Sequence, residues 1–238
     1  MTRIFNAALV AATLGVALSA AANHVDFIGD DGTSFDLSVS AGQTASDTQT
    51  GDSASLLGGT RVVTIAERTG FLRGATVSKG LTSETIDLNA VGIASSPMLT
   101  LDYPAIANSD FDTMWNFIAV DFPTIAAQRT VGTTLLEATL TVESSAGTGT
   151  VTKEIVRLEP AFPESFSTTL FYGFDEAGFS GVDFTDVDGV TLVLNPVGQN
   201  GGTDYSIGSI TREVAVPEPT SLALLGLGGL AALRRRRA

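Results

Sequence analysis

Three carboxylates, Asp183, Asp186 and Asp188, fall within six residues and are followed by Gly189. Hard cations take six to eight oxygen ligands, and short Asp-rich turns supply them, so this stretch is a candidate calcium site. The EF-hand pattern is absent. The spacing Asp-x-Asp-x-Asp-Gly fails, and no Glu closes the loop. The plainer reading is that Asp186 and Asp188 shape a turn on an acidic surface. Asp30, Asp31, Asp175 and Glu176 are lesser candidates of the same kind. The expectation is no cofactor, with calcium at Asp183, Asp186 and Asp188 as the alternative.

Two further chemistries are open to an acidic chain. Sugar sites pair aromatic faces with hydrogen-bonding groups. The one tryptophan, Trp115, lies in the mostly apolar run Met114–Val120, which reads as a core anchor. Phe162, Phe166, Phe171, Phe174, Phe179 and Phe184 recur densely at no helical spacing and are expected in the core. Glycoside hydrolysis needs only two carboxylates. Asp102 and Asp121 have apolar neighbours, but in alternating strands such residues face solvent. A lone histidine, His24, excludes a His-based triad and an ordinary zinc site. The absence of cysteine excludes thiol catalysis. Neither a Gly-x-Ser-x-Gly elbow nor a Walker loop occurs. The chain is expected not to be an enzyme.

These residues must be placed by a body of one-domain size. The chain has 238 residues with 26 acidic and 13 basic side chains, a net charge of −13. Four of the arginines form the block Arg234–Arg237, so the part before it is more acidic still. Nucleic-acid binding needs a basic footprint and is excluded.

The body reads as strands. Leu136–Glu143 and Phe35–Ser40 alternate apolar and polar residues, and Val190–Leu194 is more apolar. Further candidates are Arg61–Ala66, Thr85–Ala90, Met98–Tyr103, Trp115–Phe122, Val151–Leu158, Thr168–Phe174 and Tyr205–Ile210. Ala146–Gly149 suggests a hairpin connection, and Asp31-Gly32 and Asp188-Gly189 suggest turns. Residues 41–58 and 195–204 suggest exposed loops. The expected fold is all-β: a single antiparallel β-sandwich of the jelly-roll kind over 23–212.

The ends carry different signals. Arg3 precedes an apolar run from Ala7 to Ala22, the pattern of a signal peptide over 1–22, with Ala20 and Ala22 forming the cleavage site. This implies passage through the Sec translocon. Residues 213–238 contain Pro217, Glu218 and Pro219, then an apolar stretch Thr220–Leu233, then Arg234, Arg235, Arg236 and Arg237. The prolines interrupt structure entering from the body. The stretch gives about 21 Å of helix against a hydrocarbon core of roughly 30 Å, a short transmembrane helix. The arginines stop it on the cytoplasmic side, as Arg3 does at the other end, which leaves the body outside the inner membrane.

This tail resembles the PEP-CTERM sorting signal of Gram-negative bacteria in its Pro-Glu-Pro triplet, short helix and arginine cluster. The resemblance implies processing by an exosortase, transient residence in the inner membrane and release to the cell surface or extracellular matrix, often in exopolysaccharide producers. The body also resembles sandwiches found upstream of such tails, through Leu57–Arg61 before a strand and Asp183–Val190 near the end. The functional expectation is an exported surface or matrix protein with a structural or binding role. The alternatives are a carbohydrate-binding module, calcium-assisted or not, and a secreted glycoside hydrolase.

Overall fold

A computed structural model describes residues 24–53, 55–67, 74–90, 97–104, 106, 109–111, 115–127, 134–156, 165–197 and 203–213. The signal peptide with Ala20 and Ala22, and the tail with Pro217, Glu218, Pro219 and Arg234–Arg237, lie outside the described residues. Fourteen strands are present among them. They are β1 (His24–Phe27), β2 (Phe35–Val39), β3 (Thr44–Thr50), β4 (Thr60–Glu67), β5 (Ala75–Lys79), β6 (Ile86–Ala90) and β7 (Pro97–Tyr103). There follow β8 (Phe117–Ala127), β9 (Thr134–Ser144), β10 (Gly147–Val156), β11 (Ser165–Gly173), β12 (Val187–Pro196), β13 (Thr203–Ile207) and β14 (Ser209–Glu213).

They form two antiparallel sheets. One runs β10-β9-β12-β7-β4-β3. The other runs β1-β14-β8-β13-β6-β5-β2, with β11 also paired to β8. Period-two alternation places the core between them. Val63, Leu101, Leu192 and Leu140 stand opposite one another across four strands, all fully buried. Truncating any of the three leucines to Ala removes apolar contact and leaves a cavity, at about 2–5 kcal/mol. Tyr172 on β11 donates its hydroxyl to Ala138 O on β9 at 2.7 Å, tying the sheets together through a buried bond.

Every expected strand is present, with shifted limits, and three more appear. The stretch 41–58, expected as a loop, contains edge strand β3. Its sequence Thr-Ala-Ser-Asp-Thr-Gln-Thr has no apolar stripe because only Gln49 among its side chains is buried. Pairing with β4 from Thr44 to Thr50 satisfies one side of its backbone. The short strands β1 and β5 escape the pattern through their brevity and because a charged residue is buried in each, Asp26 next to Val25 and Lys79 on the face of Val77. The second expected loop is shorter than 195–204, since β12 continues through Pro196 and β13 starts at Thr203.

The expected strand Tyr205–Ile210 is broken at Gly208. Its N–H reaches Asp121 O at 3.0 Å, and a Cβ there would lie 2.8 Å from Pro123 Cγ. β13 and β14 thus share the same side of β8 and then diverge, one toward β6 and the other toward β1. Asp188-Gly189 is not a turn. It lies inside β12 at a bulge, where the register with β9 shifts between Val187 and Gly189.

Candidate functional site

The carboxylates separate into two regions. The first is internal. Asp26 from β1, Asp31 from the β1–β2 connection, Arg61 from β4, Lys79 from β5 and Tyr103 from β7 converge between the sheets, each 2% exposed or less. Arg61 Nη1 pairs with Asp26 and lies 3.0 Å from Asp31 Oδ2. Lys79 Nζ lies 2.9 Å from Asp31 Oδ1 and donates to Thr33 O at 2.8 Å. Tyr103 donates its hydroxyl to Asp26 Oδ2 at 2.7 Å. Thr33 N–H and Thr33 Oγ1 donate to Asp31 Oδ1 at 2.8 and 2.9 Å.

Two cations and two carboxylates balance here, as buried charge requires. Burial raises the Asp26 carboxyl above its ordinary value, against the opposing charge of Arg61 and the bond from Tyr103. Burial also pushes Asp31 up, but the bonds from Lys79 and Thr33 and the charge of Arg61 outweigh it and leave Asp31 below the usual range. Burial, then the charge of Asp26, raise the Tyr103 hydroxyl far enough to keep it neutral and donating. All the strong partners are internal, so the arrangement acts as a clamp within the fold.

The sequence contained a signal for this clamp. Arg61 shares the inward face of β4 with Val63 and Ile65, and Lys79 shares that of β5 with Ala75 and Val77. A cation at an inward strand position requires a buried partner. Asp31, a lesser cation-site candidate by sequence, is that partner.

The second region lies at the surface. The three Asp residues of the 183–188 stretch do not converge. Asp183 Oδ1 accepts from Thr185 N–H at 2.9 Å and Thr185 Oγ1 at 2.6 Å, bonds that hold it below the usual carboxylate range. Asp186 accepts from Ser145 Oγ at 2.5 Å. Asp188 sits in the β12 bulge. Among the described residues, no three His, Cys, Asp or Glu side chains are grouped to hold a metal ion. Asp30 is exposed, and Glu176 pairs with Lys153 at 3.0 Å. Asp102 and Asp121 also stand apart. They project from the outer faces of opposite sheets, where they accept from Thr191 Oγ1 (2.8 Å) and Thr169 Oγ1 (3.1 Å).

Next to Asp183 is an open depression of about 820 Å³, whose lining includes Asn116, Phe117, Phe174, Asp175, Asp183 and Phe184. Phe174 stacks on Phe184 with centroids 4.0 Å apart, and Phe179 meets Phe184 edge-on at 5.5 Å. Phe174 N–H donates to Asn116 O at 3.0 Å, and Asn116 N–H donates to Glu213 O at 2.8 Å, which fixes the floor. The segment beyond rests on β10 through glycines. A Cβ on Gly178 would lie 2.1 Å from Thr150 O.

Trp115 is 8% exposed, with the Arg212 guanidinium 4.2 Å from its ring centroid, so it is a core anchor as expected. The phenylalanines divide. Phe179 and Phe184 are core and Phe166 and Phe174 are half-buried, while Phe162 lies outside the described residues. Phe171 departs from the expectation of burial. It is 48% exposed on the solvent side of β11, edge-on to Phe117 at 6.2 Å.

Residues 215–237 match the PEP-CTERM protein-sorting motif. The chain therefore carries a sorting signal of exported proteins directly after the last described strand. No curated protein matches the chain. Among solved structures, it is similar to a family 28 carbohydrate-binding module specific for non-crystalline cellulose, at 10% identity and a TM-score of 0.40, over 58% of this chain and 79% of the other. It is also similar to a family 11 carbohydrate-binding module of a cellulosomal cellulase from Clostridium thermocellum, at 13% identity and a TM-score of 0.37, over 82% and 96%. A third is the family 11 xylanase from Neocallimastix patriciarum, at 11% identity and a TM-score of 0.33, over 74% and 100%.

Proposed function

We propose that this protein is exported through the Sec translocon, held transiently in the inner membrane, processed by an exosortase-type enzyme and displayed at the cell surface or in an exopolysaccharide matrix. There its sandwich has a structural or binding role and no catalytic one. The observation that carries this reading is the sorting motif at 215–237, which starts two residues after β14 ends at Glu213. The clamp supports a self-contained body, because among the described residues it joins β1, β4, β5 and β7 to one another.

The test is replacement of Pro217, Glu218 and Pro219 by Ala, followed by fractionation in a host with the matching exosortase. The substitution keeps the apolar stretch and its arginine stop, so the precursor is expected to accumulate in the inner membrane while surface protein falls. Surface delivery equal to wild type would make the tail an ordinary anchor. A second reading, a carbohydrate-binding module, is favoured by one observation: the exposed Phe171 ring beside a depression with polar side chains.

A further inference from the structure

We propose that the Phe171 ring and the adjoining depression form one binding site for a neutral polysaccharide. The site gives the surface-display reading its ligand class, and rests on that reading. Ser165, Ser167, Thr169 and Phe171 alternate along the outer side of β11, and Phe171 is the apolar exception. Its cross-strand partner on β8 is Ala119, too small to cover the ring. Phe117, edge-on to Phe171, also lines the depression, as does Phe174. Aromatic surface thus runs from the sheet face into the hollow.

Polar groups stand beside it. The backbone of Asn116 is held from both sides by Glu213 O and Phe174 N–H, while its side-chain amide makes no hydrogen bond among the described residues. Asp175 presents an exposed carboxylate. An amide donates and accepts, and a carboxylate accepts twice, which suits the vicinal hydroxyls of a sugar whose C–H face lies on a ring.

Charge selects among glycans. Asp175 and Asp183 both line the hollow, and Lys153, the nearby cation, is engaged by Glu176. The four basic residues among those described are Arg61, Lys79, Lys153 and Arg212, and three of them are buried. Uronates and sulfated glycans therefore meet repulsion, and uncharged chains do not.

The test uses protein recovered from the cell surface and affinity electrophoresis in gels containing mixed-linkage β-glucan, galactomannan, dextran or polygalacturonate. At least one neutral glycan is expected to retard the protein, and polygalacturonate is not. Retardation should persist at about 1 M salt, where screening shortens to about 3 Å. Phe171→Ala and Asn116→Ala should each weaken it about tenfold, the loss typical of a central contact. Ser167→Ala, on the same face of β11, should leave it unchanged. No retardation by any neutral glycan, retardation that both substitutions leave intact, or retardation by polygalacturonate alone would overturn the proposal. So would a dimer in sedimentation that Phe171→Ala abolishes, which would assign the ring to a second copy. Surface delivery of Phe171→Ala, measured in the same cells, separates the two accounts. Lost binding with normal delivery concerns this site, and lost delivery concerns the tail.

Discussion

Asp31-Gly32-Thr33 and Asp183-Phe184-Thr185 make the same local turn. In each, the aspartate Oδ1 accepts both the N–H and the hydroxyl of the threonine two residues on. In each, the carboxyl is held below its ordinary value. Their surroundings differ completely. Asp31 is buried against Lys79 and Arg61, whereas Asp183 lines an open depression and, among the described residues, pairs with no cation. A short Asp-x-Thr motif therefore fixes a turn and nothing more. The role of the carboxylate depends on where an acid-rich chain places its few cations.

The sharpest way to break this contrast is to remove the shared cation. Arg61→Ala leaves Asp26 and Asp31 buried with one cation between them, at a cost of about 3–5 kcal/mol in chemical denaturation. Replacing Asp26 by Leu together with Arg61 by Met should recover a large part of that loss, since the buried charge goes as a pair. A double variant no better than Arg61→Ala would mean that the clamp does more than neutralise itself.

The next effect concerns the other region. Gly178→Ala would drive a Cβ against Thr150 O, and overpacking of this kind costs about 1–3 kcal/mol. Its distinctive outcome is local. Hydrogen exchange should quicken in 173–184 and stay slow in β4 and β5.

Acid provides a third probe, with opposite signs inside the clamp. Asp31 contributes stability above its unfolded value, lost as pH falls through its lower folded value. Asp26, raised in the fold, contributes stability below its unfolded value, lost as pH rises through its higher folded value. Acidification therefore costs the clamp nothing at Asp26, and the loss from Asp31 begins only below about pH 4. Asp31→Asn should remove that acid limb of the stability profile. The smallest effect is expected for Asp183→Asn, whose exposed carboxylate bonds only within its own turn. Its melting temperature should stay within error of wild type, and a clear drop would show that the two turns are more alike than their surroundings.

The fold was legible where a strand buries one face, as in Leu136–Glu143 or Arg61–Ala66, because period two is imposed by the pleat. It was illegible in β3, where an edge strand on the outer rim has no reason to be apolar. The break at Gly208 was also hidden, since it depends on the approach of Pro123 from another strand. The clamp was half-legible. Arg61 on an apolar face announced a buried partner, but the choice of Asp26 and Asp31 depends on pairings across 35 and 30 residues of chain. Phe171 could not be told from its five neighbouring phenylalanines, because which side of β11 faces out depends on the register with β8.

The measurement that tests the central claim most directly is the intact mass of the protein taken from the cell surface. Export with exosortase-type processing predicts an N-terminus at Asn23 or within a few residues of it, and a C-terminus that lacks the apolar stretch and Arg234–Arg237. A surface protein that retains both Met1 and the arginine block would contradict the account.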